Sequence, residues 1–148
     1  MDIKNIATAL SERYETRDPF EIADNLGYCT IYAPLIEVRG FYQYIEQCHI
    51  ICIDSALNKR QARFVCAHEL GHSLLHRGIN RIFMDAHTRM VASRYEKEAD
   101  QFAVDLLFDD SDLQSYLDWP ILTVAECLGI SRELAEYRMV SVGPRLVW

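Results

Sequence analysis

The chain has 148 residues, half of them hydrophobic and a quarter charged, which suits one globular domain or one domain with a small appendage. A net charge of −7 and a pI near 5.2 work against non-specific attraction to nucleic acid and to an anionic membrane surface. No apolar run reaches membrane-spanning length, and Met1 to Ala7 shows no apolar core behind positive charge, so neither a spanning helix nor a secretion signal is expected.

Ile3, Ile6, Ala7, Leu10 and Tyr14 recur at helical spacing and predict an amphipathic helix over 3–14. Asp18-Pro19-Phe20-Glu21 reads as the start of a second helix, with Asp18 as N-cap, Pro19 in the first turn and Glu21 in the reciprocal position; Gly27 ends it. Cys29–Ala33, Gly40–Ile45 and His49–Asp54 are rich in β-branched and aromatic residues and read as strands. The last two are joined by Glu46-Gln47-Cys48, short enough for an antiparallel hairpin. Gly40-Phe41-Tyr42-Gln43-Tyr44 is open to two readings: an edge strand that pairs with an extended peptide, or a strand whose aromatics cover the sheet. Cys29, Cys48, Cys52, Cys66 and Cys127 are odd in number and lack C-x-x-C spacing, so reduced and mostly buried thiols in a cytoplasmic protein are expected. Cys48 and Cys52 share a strand face, and a metal site there is the weaker reading.

Asn58, with Gln61 three residues on, predicts the start of a helix over 59–77 that Gly78 stops. Within it lies His68-Glu69-Leu70-Gly71-His72, an H-E-x-x-H. Residues four apart share a helix face, so His68 and His72 can offer nitrogens to one Zn²⁺, with Glu69 beside them to take a proton from water. Phe64, Val65, Ala67, Leu70, Leu74 and Leu75 surround the motif with apolar residues and predict burial on most sides. Gly71 costs helix stability, which a close approach by another group would justify. His76 lies about 12 Å along the axis from His68, too far to share its ion, and reads as a packing or helix-terminal histidine. Residues 79–92 read as a loop with a short helical turn bordering the cleft, and His87 and Arg89 are open to two readings, assisting there or, more simply, lying on the surface.

Ser93–Leu107 reads as another helix, with Ala99, Phe102, Ala103, Leu106 and Leu107 as its inward stripe. At about 100° per residue, Glu96 falls about 50° from the centre of that stripe and Glu98 about 110°. Glu96 is therefore the better third metal ligand, and Glu98 fits a solvated face with Lys97. Asp100, one turn beyond Glu96, is placed to accept from the second ring nitrogen of a ligating histidine. Tyr95, Arg94 and His87 are candidates for oxyanion stabilisation by proximity alone.

The stretch His68-Glu-Leu-Gly-His-Ser-Leu-Leu-His76, preceded by Arg63-Phe-Val-Cys-Ala67 and followed by Glu96-Lys-Glu-Ala-Asp-Gln-Phe-Ala103, resembles the ImmA/IrrE family of bacterial metallopeptidases. The likeness reaches upstream through Asp18–Gly27 and Arg39–Tyr44 and covers about residues 18–108. It implies an α+β, mostly helical zincin-like domain over 1–110, with a small antiparallel three-stranded sheet packed on the H-E-x-x-H helix. It also implies a cytoplasmic zinc endopeptidase, often of mobile elements or prophages, acting on a helix-turn-helix repressor. Where the family commonly has Pro after the Leu-Leu pair, this chain has Phe108-Asp109-Asp110, a departure that concerns how the helix ends.

Asp112 to Tyr116 read as a short helix, and Leu122–Arg138 as helix, turn at Gly129, and helix capped by Ser131. A DNA-reading second helix would be basic, yet Arg132 and Arg138 are balanced by Glu133 and Glu136. An αα-hairpin and tail over 111–148, packed on the same domain, is the preferred reading. Two functions compete: the zinc peptidase, and a non-proteolytic regulator that uses the same fold to bind a repressor or DNA.

Overall fold

The computed structural model describes residues 1–76 and 88–145, with the side chains of 88–92 left out. Its first helix, α1 (Ile3–Tyr14), starts where the Asp2 carboxylate accepts from the Asn5 N–H at 3.1 Å. Next, α2 (Pro19–Asn25) starts where Asp18 accepts from Phe20 N–H at 3.0 Å. Each cap satisfies a backbone donor that the first helical turn leaves open.

Three strands follow, β1 (Cys29–Ala33), β2 (Gly40–Ile45) and β3 (Cys48–Asp54). The hairpin between β2 and β3 is antiparallel, with Gly40 opposite Ile53 and Ile45 opposite Cys48. Its two-residue turn, Glu46-Gln47, holds both residues at positive φ, 49° and 65°. Two-residue turns that follow strand twist need this geometry, and Asn-Gly supplies it at less cost. The sheet departs from the all-antiparallel expectation in its other pairing: β1 lies parallel to β3, in the order β1-β3-β2. The physical reason lies in Ile50-Ile51-Cys52-Ile53, an unbroken apolar run. Such a strand gains most from the centre of a sheet, flanked on both edges, and Ile51, Cys52 and Ile53 are buried.

Helix α3 (Lys59–Leu75) begins with the expected reciprocal box: Asn58 Oδ1 accepts from Gln61 N–H at 2.8 Å, and Gln61 Oε1 accepts from Asn58 N–H at 3.1 Å. It ends at Leu75 with His76 as C-cap; Gly78, expected to stop it, lies outside the described residues. Helix α4 runs over Thr88–Leu107. It therefore starts five residues before Ser93, and the loop expected over 79–92 gives way to helix from Thr88, with 79–87 outside the described residues. Arg17 closes the far end of α4, donating to the carbonyls of Asp105 at 3.2 Å and Leu106 at 3.0 Å, where a helix leaves acceptors open and favours a cation.

Ile22, Ile51, Ile53, Ala67, Leu70, Phe102 and Leu106 meet in one core that joins the helices to one sheet face. The residue before β1 also reaches α3 by a polar contact: Tyr28 donates to Ser73 Oγ at 3.1 Å, and Ser73 donates to Leu70 O at 2.7 Å. Two approaches are tight enough to need glycine. A Cβ on Gly71 would lie 2.9 Å from Phe102 Cδ1, so α4 packs directly onto the helix backbone within the motif. A Cβ on Gly40 would lie 2.4 Å from Val65 Cγ1, 2.9 Å from Cys52 O and 3.8 Å from Glu69 Cγ, so β2 begins directly against α3.

The chain falls into two compact units, Met1–Leu107 and Phe108–Trp148. The second holds α5 (Asp110–Leu113), a 3-10 turn over Gln114–Tyr116, α6 (Ile121–Leu128) and α7 (Arg132–Val140). Gly129 ends α6 at φ 71°, and Ser131 Oγ accepts from Leu134 N–H at 3.1 Å to start α7. Leu113, Ile121, Val124, Leu128, Ala135 and Met139 form its own core. Arg138 is 1% exposed. Its guanidinium donates to Asp110 Oδ1 at 2.6 Å, Phe108 O at 2.6 Å and Ser141 Oγ at 3.0 Å.

Candidate metal centre

Four residues of rise bring His68 and His72 onto the same side of α3, where their Nε2 atoms stand 3.1 Å apart. Helix α4, brought close by the Gly71–Phe102 contact, places the Glu96 carboxylate across from both. Glu96 Oε2 is 2.9 Å from His68 Nε2, and Glu96 Oε1 is 2.9 Å from His72 Nε2. Asp100, one turn along α4, sets Oδ1 2.7 Å from His68 Nδ1.

Glu69 is buried, with Oε1 4.0 Å from His68 Nε2. It lies beside the group rather than within its closest edges. Among the described residues, ligand atoms of His68, Glu69 and His72 all fall within 4.8 Å of one another. The start of β2 passes over the Glu69 side chain at Gly40. β2 is an edge strand; Tyr42 stacks against Tyr28 and His49, while Tyr44 and Ile45 are exposed.

The donor set suits a zinc ion. Bonds of about 2.0–2.1 Å in a tetrahedron keep ligand atoms about 3.3 Å apart. The 3.1 Å and 2.9 Å separations here are within a few tenths of that, with two imidazole nitrogens and a carboxylate meeting from two helices. The electrostatics agree. Burial opposes charge on His68, but hydrogen bonds to Asp100 and Glu96 and the nearby Glu69 outweigh it and push its pKa up to about 9. The same bonds from His68 and His72 hold Glu96 well below the usual carboxylate range. The His68 shift describes negative potential that favours a cation there, whether proton or metal, and the Glu96 shift describes a carboxylate kept ionised by the two imidazoles.

Glu96 is the more exposed of the two candidate glutamates, its side chain 52% accessible against 20% for Glu98. The sequence reading had placed Glu96 nearer the inward stripe, so the order of burial is reversed, while the Glu96 carboxylate still faces both imidazoles. Glu98 is not on a solvated face: its Oε1 lies 3.1 Å from His76 Nε2. His76 is buried, caps α3, and turns its Nδ1 to within 2.9 Å of His72 Nδ1. The spacing that pairs 68 with 72 also pairs 72 with 76, a signal that axial distance from His68 had obscured. Tyr95 packs its ring 4.4 Å from that of His76, with Arg94 over its outer face; His87 and Arg89's side chain lie outside the described residues.

The thiols depart from expectation. Cys52 and Cys66 are buried, but Cys29, Cys48 and Cys127 are exposed. Cys66, two residues before the motif, is a packing thiol, pushed up to about 12 by burial and by the charges of Asp18 and Glu69. No helix among the described residues is long and apolar enough to cross a membrane.

Comparison with known proteins bears on this geometry. The sequence profile of the M78 peptidases, described as the IrrE N-terminal-like domain, matches residues 23–140. An uncharacterized immunity region protein 2 of Bacillus phage phi105 is 36% identical over 142 residues, covering 94% of this chain and 90% of that protein. The metallopeptidase ImmA of Bacillus subtilis strain 168 is 26% identical over 117 residues, covering 79% of this chain and 69% of that one. Among solved structures, a Mycobacterium tuberculosis transcriptional regulator shares the fold with a TM-score of 0.62 at 16% identity, over 93% of this chain. This chain spans 46% of that regulator's length.

Proposed function

The chain belongs to the peptidase family of the IrrE N-terminal-like domain, and on that premise we propose that it is a cytoplasmic zinc-dependent endopeptidase acting on a helix-turn-helix transcriptional repressor. The observation that carries this reading is the meeting of His68 Nε2, His72 Nε2 and the Glu96 carboxylate at 2.9–3.1 Å, with buried Glu69 alongside. His68, His72 and Glu96 would hold Zn²⁺, which when bound polarises a peptide carbonyl and acidifies water. Glu69 takes the proton from the attacking water and returns it to the leaving amine, a role suited to a carboxylate shielded from bulk solvent beside the ligands. Asp100 fixes the orientation of the His68 ring through Nδ1. The edge strand β2, starting over Glu69, offers backbone groups to an extended substrate segment.

The immunity-region relative supports a repressor as the substrate class. Against the alternative of direct DNA contact through α6 and α7 stands the burial of Arg138 in its own unit and the pairing of Arg132 with Glu136 at 2.9 Å. The deciding experiment incubates the purified protein with the repressor encoded beside its gene, as wild type and as Glu69→Gln. Cleavage by wild type and its loss in the variant, both holding zinc, is the expected result. A variant that relieves repression as well as wild type, with the repressor intact, would establish the binding regulator instead.

A further inference from the structure

His68 and His72 are held in different ways. A carboxylate, Asp100, faces Nδ1 of His68 directly at 2.7 Å. Nδ1 of His72 faces another imidazole, His76 Nδ1 at 2.9 Å, and that ring in turn faces Glu98 Oε1 through Nε2 at 3.1 Å. Two nitrogens at 2.9 Å share one proton, so one must donate and the other accept.

We propose that His76 and Glu98 are positioning residues for His72, forming a relay that fixes which of its nitrogens is free to bind the metal. The Glu98 carboxylate accepts, so the proton of His76 sits on Nε2. A ring with one proton then presents a lone pair at Nδ1, which accepts from His72 Nδ1–H. His72 is left with its lone pair on Nε2, the atom 3.1 Å from His68 Nε2 and 2.9 Å from Glu96 Oε1. The reverse assignment would put a proton on His72 Nε2 and close that atom to a metal. It would also leave His76 Nε2 facing a carboxylate with no proton between them. Asp100 gives His68 the same tautomer in one step; Glu98 gives it to His72 in two. The motif thereby extends functionally to His76, whose distance from His68 does not matter to this role. The rings of His72 and His76 are 5.0 Å apart, and Tyr95 packs against His76 at 4.4 Å.

This inference rests on the metal-site reading above, and its test separates the two. Zn²⁺ affinity of the full-length protein is measured by competition with a chromophoric chelator, and site geometry by the visible absorption of the Co²⁺-loaded protein. Loss of an outer partner of a ligating histidine costs about 10–100-fold in metal affinity. His76→Ala and Glu98→Ala are each expected to fall in that range and to alter the Co²⁺ spectrum, with Lys97→Ala unchanged. His76→Gln, whose amide oxygen can accept from His72 Nδ1–H, recovers most of the affinity lost by His76→Ala. Nitrogen NMR of zinc-loaded wild type should show His72 protonated at Nδ1. Wild type that binds zinc, with Glu98→Ala folded and equal to it in affinity and spectrum, overturns the relay alone; so does zinc on His72 Nδ1. Wild type that takes up no zinc overturns the site and the relay together.

Discussion

Each compact unit buries charged or ionisable side chains, and they are used differently. In 108–148, the Arg138 guanidinium ends on Phe108 O, Asp110 Oδ1 and Ser141 Oγ, all within its own unit. The contacts to Phe108 and Asp110 hold α7 to the segment around α5, and the one to Ser141 lies at the end of α7 itself. In 1–107, His68, His72 and Glu96 turn their polar atoms toward one another, at an edge where Glu96 is half exposed. Supporting groups stand behind them, Asp100 for His68 and His76 for His72. Convergence on one point, backed by an outer layer, is the arrangement that the proposed ligand set requires and a structural ion pair does not.

Replacing one buried charge in each unit gives the largest contrast. Glu69→Gln is expected to lower peptide cleavage by about 10²–10⁴-fold, the usual worth of a positioned general base, while zinc content and Tm stay near wild type. Arg138→Met should do the opposite: a loss of about 3 kcal/mol for a broken buried pair, tempered because Asp110 is partly exposed, with zinc stoichiometry intact. Denaturant melts and metal analysis on the two proteins check both. Loss of zinc from Arg138→Met would show that the units are not energetically separate.

How much of this was legible beforehand follows from the range of each signal. Asp18-Pro19, the Asn58–Gln61 pair, Gly129 and Ser131 act within four residues of themselves, and the helices they begin or end stand where sequence places them. The i, i+4 rule likewise put His68 and His72 together; helical angle favoured Glu96, which does face them, but by a burial order that the structure reverses. Signals that depend on distant chain were missed. The parallel β1–β3 pairing depends on which strand wins the sheet centre, although the apolar run of β3 carried that information. Arg138 is buried because Asp110, 28 residues earlier, meets it. Glu98 is turned inward because His76, 22 residues earlier, lies beneath it.

Two glycines sharpen the comparison at smaller cost. Gly71→Ala gains about 1 kcal/mol of helix propensity but drives a methyl to 2.9 Å from the fully buried Phe102 ring. Overpacking of this kind costs about 1–3 kcal/mol, so the net expectation is a loss of about 1 kcal/mol. The more telling consequence is geometric. Phe102 and Glu96 share α4, so pushing that helix from α3 moves the carboxylate away from both histidines. Zinc affinity should fall several-fold, measured by chelator competition; unchanged affinity would mean that the helix spacing does not set the site.

Gly129→Ala is the matching change in the other unit and the smallest effect. Gly129 sits at φ 71° at the end of α6, a left-handed position that costs a residue with a Cβ about 1 kcal/mol. For a chain of this size that is a fall of about 2–4 °C in Tm. Gly129 closes a turn and positions no ligand, so zinc affinity should equal wild type within error. A pair of melts with and without bound zinc decides it: the shift caused by the substitution should be the same in both. If zinc enlarges the shift at Gly129, as weaker zinc binding should at Gly71, the C-terminal unit contributes to the metal centre and the division drawn from Arg138 fails.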